Sequence, residues 1–282
     1  MTRCDKCQCS AIIYQRYSGM HLCREHFEED VRRKIREELR RTGLFGREAR
    51  LAVGLDGSRK STAIAFILKD IFSRRRDISL IAIIIDEGEG KIPGASQAAE
   101  VAEKLGIACK VVRLPDTTEL NAPYALQSAE KTQVLFKAAW EIQAAILVTG
   151  ETLEDEARRI FLSLLQGNID SAIQEGACKK EEAKEHADER AADQDAAAVA
   201  WIKPLRRIPE REVRLYALGR RLGLDKPGEK AEERGLRQTA ETMLFDFDGR
   251  HPGTCYSLLR GMEKIRQLRD ETGAKPLSKD GK

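Results

Sequence analysis

Between Leu51 and Leu68 a short apolar run, Leu51-Ala52-Val53-Gly54-Leu55, enters a glycine-containing turn and emerges as Ala63-Ile64-Ala65-Phe66-Ile67-Leu68. The first stretch has the length of a buried strand, and Ser61-Thr62 ahead of the second opens a helix. A strand that feeds a helix through so short a turn commits the chain to layered α/β packing. The same geometry aims unpaired backbone N–H groups and the positive end of a helix dipole at one point. A phosphate belongs there.

The alternation recurs along the chain. Strands are expected at 50–55, 79–85, 107–113 and 144–149, with helices at 61–73, 95–105 and 127–142. The strands are nearly unbroken Val, Ile and Leu, which implies burial on both faces. The fold class is therefore α/β, a doubly wound parallel sheet covered by helices. Ligands in such folds bind beyond the carboxyl ends of the strands, which puts 54–61, 86–94 and 150–155 on one rim. With 282 residues, 41% of them apolar, the chain can bury one large core. It has no run of eighteen apolar residues, so no membrane span or signal peptide is expected.

A second signature precedes the sheet. Cys4-x-x-Cys7 and Cys23-x-x-His26 are two ligand pairs separated by fifteen residues. Each pair can turn both side chains onto one ion, and four such donors close a tetrahedral Zn²⁺ shell with no open position, so the zinc is structural. A segment of about thirty residues cannot build a core alone, and a metal staple makes it foldable. Seven cysteines, an odd number, with metal-type ligands gathered at one end indicate a reducing, cytoplasmic setting rather than a disulfide framework. Cys9 lies too near Cys7 to join the shell, and Cys109, on a short apolar strand, is expected in the core.

These features divide the chain into a zinc knuckle (1–28), a linker helix (29–46), a nucleotide-type α/β domain (47–170), a low-complexity insert (171–199), a C-terminal helical region (200–271) and a disordered tail (272–282). Val31, Ile35 and Leu39 recur every fourth residue within Glu28–Thr42, an amphipathic pattern. Its cations Arg32, Arg33, Lys34, Arg36, Arg40 and Arg41 either meet a nucleic-acid backbone or form a solvated face diluted by acids. The insert reads as an exposed helix or a flexible stretch. Beyond it, 202–205 is extended and 210–222 helical. A net charge of +3 neither demands nor excludes nucleic acid.

The turn at 54–62 admits two readings. As a P-loop it has Gly54, Lys60 and Ser61, and Asp86 ends the next strand. Arg59, however, stands where the second glycine must let the backbone curl around phosphate. The other reading is the pyrophosphate loop of N-type ATP pyrophosphatases, ordinarily Ser-Gly-Gly-Lys-Asp-Ser after an apolar strand. Asp56-Gly57-Ser58-Arg59-Lys60-Ser61 lies in that frame.

Later segments decide between them. Ile85-Asp86-Glu87-Gly88, Val148-Thr149-Gly150-x-x-Leu153-x-Asp155-Glu156, Leu164-Leu165-Gln166-Gly167-Asn168 and Ile202-Lys203-Pro204-Leu205-Arg206-Arg207-Ile208-Pro209-Glu210-Arg211-Glu212-Val213 follow in order behind the knuckle. Together they resemble the TtcA/TtuA family of tRNA thiolation enzymes in the PP-loop superfamily. The archaeal and eukaryotic cytosolic branch that makes 2-thiouridine is the nearest in pattern. The resemblance runs over residues 1–265 apart from the insert.

The resemblance implies an adenine nucleotide alpha hydrolase-like fold, Mg²⁺ and ATP as cofactors, and tRNA as substrate. ATP would adenylate the C2 carbonyl oxygen of a tRNA pyrimidine, and sulfur would displace AMP. It assigns nucleotide binding to Gly57, Ser58, Arg59, Lys60, Ser61, Thr62, Asp86 and Gly150, catalysis to Lys60 and Asp155, and RNA contact to Lys203, Arg206 and Arg207. A sulfur-carrier protein or an active paralogue is the implied protein partner, and a homodimer the implied assembly.

The chain departs from the family at three places. In the phosphate loop Asp56, Ser58 and Lys60 replace a serine, a glycine and an aspartate. The histidine-asparagine-leucine-aspartate-aspartate segment reads Glu151-Thr152-Leu153-Glu154-Asp155. Many members hold an iron–sulfur cluster on three cysteines, but the Cys-x-x-Cys pair falls on Tyr124 and Gln127, and no cysteine occurs between Cys109 and Cys178. No iron–sulfur cluster is therefore expected. Two functions remain open: an ATP-dependent tRNA thiolase with altered chemistry, or a catalytically silent paralogue that binds nucleotide or tRNA as a partner subunit.

Overall fold

A computed structural model of the chain describes residues 2–45, 48–86, 94–114, 124–174, 178–181, 198–220, 222 and 235–272. Five parallel strands form the centre: β3 (Ala49–Gly54), β4 (Ile78–Asp86), β5 (Ala108–Arg113), β6 (Ile146–Val148) and β8 (Val199–Ile202). Their order is β5-β4-β3-β6-β8, and β7 (Cys178–Glu181) adds an antiparallel strand beyond β8. The order reverses between β3 and β6, so the two strands diverge in their connections there and leave a crevice at their carboxyl ends.

Burial on both faces follows from side-chain alternation. Leu51, Val53 and Leu55 enter one core with α1 (Arg24–Arg41), α2 (Arg59–Ile71) and α7 (Glu210–Gly219). Ala52, Ile83 and Leu147 face the other way, onto Phe136, Ala138 and Ala139 of α4 (Tyr124–Glu141). The helix α3 (Gly94–Leu105) joins the first layer through Ala98, Val101 and Ala102. A separate core forms where α5 (Leu153–Leu165), α6 (Ile169–Gln174), α8 (Leu236–Arg250) and α9 (Thr254–Thr272) pack through Leu153, Ile160, Leu244, Leu259 and Met262.

The N-terminal segment is a small hairpin, β1 (Ile13–Gln15) paired with β2 (Met20–Leu22), leading directly into α1. Phe27, Val31, Ile35 and Leu39 line the buried face of that helix, as the four-residue spacing requires. Gln15, 2% exposed, ties the hairpin to the body by donating to Asp30 (3.0 Å) and to Glu212 (3.2 Å).

Several expectations need correction. The linker helix begins at Arg24, not Glu28, because Cys23 is its N-cap. The helix after the phosphate turn begins at Arg59, not Ser61, because the Ser58 hydroxyl caps it by accepting from the Ser61 N–H. The extended stretch ends at Ile202, since Arg206 N–H bonds Lys203 O and Ile208 N–H bonds Leu205 O in successive turns. Within the insert the chain forms the end of α6 and strand β7, which antiparallel pairing with β8 supports despite the low-complexity sequence. Val199 at the end of the insert opens β8, whereas 175–177, 182–197, the rim residues 87–93 and the tail residues 273–282 lie outside the described residues. Cys109 is exposed rather than buried, because β5 is an edge strand.

Candidate active site and metal centre

The four N-terminal ligands converge. Cys4, Cys7, Cys23 and His26 place their donor atoms within 4.8 Å of one another. Cys7 Sγ lies 3.7 Å from Cys23 Sγ, and His26 Nδ1 lies 3.5 Å from Cys4 Sγ and 3.3 Å from Cys23 Sγ. With Zn–S of about 2.3 Å and Zn–N of about 2.0–2.1 Å, a tetrahedron has S···S edges near ~3.8 Å and S···N edges near ~3.5 Å. The group therefore fits zinc. Local backbone explains the convergence: Cys7 N–H bonds Cys4 O, closing the first knuckle, while Cys23 and His26 share one helical turn.

The phosphate turn joins the end of β3 to the N-terminus of α2. Gly57 adopts φ +77°, and a Cβ there would lie 2.8 Å from the Gly94 carbonyl oxygen, so only glycine fits. Gly150 sits against the first turn of α2, where a Cβ would meet the Lys60 carbonyl carbon and Ser61 nitrogen at 3.1 Å. The Asp56 carboxylate folds back over the turn, accepting from the Ser58 N–H at 2.9 Å and the Ser61 hydroxyl at 2.5 Å. One carboxylate oxygen thus occupies the turn's own donors. The charge is already inside the loop.

Lys60, in the first turn of α2, reaches across the crevice to Asp155 at 2.7 Å. Asp155 is the third residue of α5 and closes a capping box, accepting from Thr152 N–H (2.9 Å) and Thr152 Oγ1 (3.0 Å). Arg158 binds its other oxygen at 2.5 Å. Burial would raise the Asp155 carboxyl, but Lys60, Thr152 and Arg158 hold it below the usual range. Lys60 shifts upward in turn: burial disfavours its charge, and Asp155 more than compensates. Beside them Glu154 is pushed up to about 7, chiefly by burial, although its carboxylate accepts the Glu210 N–H at 2.8 Å. Asp86 ends β4, and Thr62 is buried in α2.

The cations assigned to RNA occupy a different environment. Lys203 and Arg206 are 4% and 2% exposed. Lys203 Nζ donates to Glu156 at 2.8 Å and lies 4.2 Å over the Trp201 ring. Arg206 donates to Glu263 at 2.7 Å and approaches Glu38 at 3.9 Å and Glu156 at 3.8 Å. Burial opposes ionisation of Glu156, but Lys203, Arg159 and Arg206 hold it down to about 2. These two cations are struts joining α1, α5 and α9, not a surface. Arg207 is partly exposed and pairs with Glu38 and Glu263. The proline turn that brings these residues inward was not readable as burial, because lysine and arginine are rarely buried. The capping box was readable: Thr152-x-x-Asp155 has its spacing. The sequence signal for Arg158 is its i, i+3 spacing from Asp155 on one helix, a spacing shared by many surface arginines.

No described helix is long and apolar enough to cross a membrane. Residues 3–28 match the family model "2-thiouridine synthetase TtuA, N-terminal LIM domain". The chain is 30% identical to the tRNA 2-thiolation protein NcsA of Haloferax volcanii over 94% of this chain and 87% of that protein. It is 25% identical to the tRNA-5-methyluridine(54) 2-sulfurtransferase of Pyrococcus horikoshii, covering 94% and 83% of the two chains. The structure superimposes on the U34-tRNA thiolase NcsA of Methanococcus maripaludis with a TM-score of 0.78 at 26% identity, covering 95% of this chain and 89% of that one. That thiolase carries a [4Fe-4S] cluster. In this chain, the described cysteines outside the knuckle do not gather: Cys109 is on the β5 edge and Cys255 is buried in the α5–α9 core. They do not fit such a group.

Proposed function

The chain belongs to the tRNA 2-thiolation family, and from that premise we propose that it uses Mg-ATP to activate the C2 carbonyl of a tRNA pyrimidine for exchange of oxygen by sulfur. An amide-like oxygen leaves poorly and AMP leaves well. The carbonyl oxygen bonds the α-phosphorus as the α–β anhydride breaks and pyrophosphate departs. A donor at the hydrosulfide level then forms the C2–S bond, and AMP carries the oxygen away.

The observation that carries this reading is the Lys60–Asp155 pair at the crevice between β3 and β6. In it Lys60 and Arg59, with the first N–H groups of α2, receive the pyrophosphate, where a fixed positive charge is worth most. Asp155 positions Lys60. Gly57 and Gly150 keep the backbone close, Ser58, Ser61 and Thr62 line the turn, and Asp86 would hold Mg²⁺, which would neutralise the departing pyrophosphate. Of the three cations assigned to RNA, Arg207 is the one left to meet tRNA. A sulfur-carrier protein supplies the sulfur, a homodimer is the assembly, and the cytoplasm is the compartment where tRNA is found.

A second reading has its own observation. The Asp56 carboxylate already satisfies Ser58 and Ser61, a place where the family keeps a neutral serine. Under it the chain is a silent partner subunit that retains the fold and knuckle. Calorimetric titration with Mg-ATP followed by a pyrophosphate-release assay on bulk tRNA separates the two. Binding with tRNA-dependent release supports the thiolase; binding without release supports the partner subunit; no binding overturns both nucleotide roles.

A further inference from the structure

We propose that this chain holds no iron–sulfur cluster and that its cysteines serve one metal site only, the knuckle, so that it differs from the superimposed thiolase with its [4Fe-4S] centre. The inference rests on where the sheet puts the cysteines. Iron–sulfur clusters are held by several thiolates gathered around one small body. Three of the seven cysteines, Cys4, Cys7 and Cys23, converge with His26 in the knuckle. Four remain: Cys9, Cys109, Cys178 and Cys255.

Cys109 lies on β5 and Cys178 on β7, the two opposite edges of the six-stranded sheet. Five strand spacings of about 4.8 Å separate their backbones by roughly 24 Å. Two cysteine side chains meet when their Cα atoms are about 4.4–6.8 Å apart, so these two cannot share a cluster within one chain. Any trio drawn from the four that avoids pairing them must include Cys255. That residue is 2% exposed, packed between α5 and α9 with its backbone N–H on Asp248. Its side chain is enclosed in the core that Leu153, Leu244 and Leu259 form, so a cluster beside it would have to displace that packing. Cys9, for its part, is anchored in the knuckle, where its carbonyl accepts the Cys4 N–H at 2.9 Å. Every trio therefore fails on topology or on burial.

The test is metal and labile-sulfide analysis of the full-length protein purified without oxygen, before and after incubation with ferrous iron and sulfide. The expected result is about one zinc per chain, with neither labile sulfide nor the broad visible absorbance of an iron–sulfur chromophore after desalting. Iron without sulfide that disappears in Cys7→Ser is knuckle metal and upholds the inference. Stoichiometric iron and sulfide retained by the wild type, and lost from a Cys109→Ser, Cys178→Ser or Cys255→Ala variant, overturn it. Cluster retention only in a dimer overturns it as well, since the opposite edges of two copies can then meet.

Discussion

The metal knuckle and the phosphate loop are both short, turn-rich segments anchored on the first turn of a helix, yet they are built on opposite plans. In the knuckle Cys4, Cys7, Cys23 and His26 converge within 4.8 Å, the geometry of one ion's shell. In the loop the chain supplies its own anion: Asp56 takes the Ser58 N–H and the Ser61 hydroxyl, and Asp155 takes Lys60. A donor set gathered from separate chain segments gains its binding energy from the ion that joins them. In the loop an incoming anion must compete with the Asp56 carboxylate for the same donors. One region needs its partner to fold, and the other must be unlocked to bind.

The widest gap between the two plans lies in stability. Structural zinc binds small finger domains with about 10–16 kcal/mol of apparent free energy. Chelation or Cys4→Ser should therefore unfold residues 3–28 and uncover Phe27 and Val31, giving fast amide exchange there and a fall in Tm of the whole chain. Full protection in the metal-free protein would erase the contrast with the loop. Next comes the buried strut. Removing one partner as Lys203→Ala leaves buried Glu156 with only the longer contacts to Arg159 and Arg206, expected to cost about 3 kcal/mol in denaturant unfolding. Lys203→Met with Glu156→Leu should recover most of it. If Lys203 is instead an RNA contact, Lys203→Ala would lower tRNA affinity and leave stability intact.

The loop itself is predicted to respond in opposite directions. Asp56→Ser removes a negative charge facing the incoming phosphates, an effect of about 1–4 kcal/mol depending on screening, so Mg-ATP should bind about fivefold tighter or more. Arg59→Ala with Lys60→Ala should abolish binding. Unchanged affinity in either variant would sink the account of a self-filled loop. Gly150→Ala presses a methyl against the Lys60 and Ser61 backbone and should cost about 1–3 kcal/mol, with weaker ATP binding measured in the same titration.

The smallest effect is a dependence on pH. Glu154 rises from 4.5 to about 7 on folding, so the native state holds its proton more tightly than the unfolded chain. Its contribution to stability is thus lost as pH rises from about 4.5 through 7. Glu156 runs the other way: its folded value is about 2, so its contribution is present above 4.5 and lost as pH falls toward 2. Glu154→Gln should flatten the first slope and leave the second. A slope that survives the substitution would assign it to other groups.

Much of this architecture was legible in the chain. The Cys-x-x-Cys and Cys-x-x-His spacing named the ligands, and the alternation of Val/Ile/Leu runs with amphipathic stretches named the parallel sheet and its rim. Both are local signals, set by reach and by periodicity. What was not legible depended on distant partners. Strand β7 forms within a low-complexity run because β8 offers an edge to pair with. Cys109 is exposed because its strand ends the sheet, a matter of strand order that no local pattern records. Helix α2 starts two residues early because a serine hydroxyl happens to cap it.

The sequence by itself determined the metal ligands, the layered α/β fold and the family, since each rests on residue types at short, fixed separations. Only the tertiary structure decided where charge is placed. Lys203 and Arg206 look like surface cations in one dimension, and they become interior struts because α1, α5 and α9 bring Glu38, Glu156 and Glu263 to them from far along the chain. Coulomb attraction in a low-dielectric interior acts over a few ångströms of space and is indifferent to sequence separation. That is why the charge map of this protein, and with it the fate of its phosphate loop, had to wait for the fold.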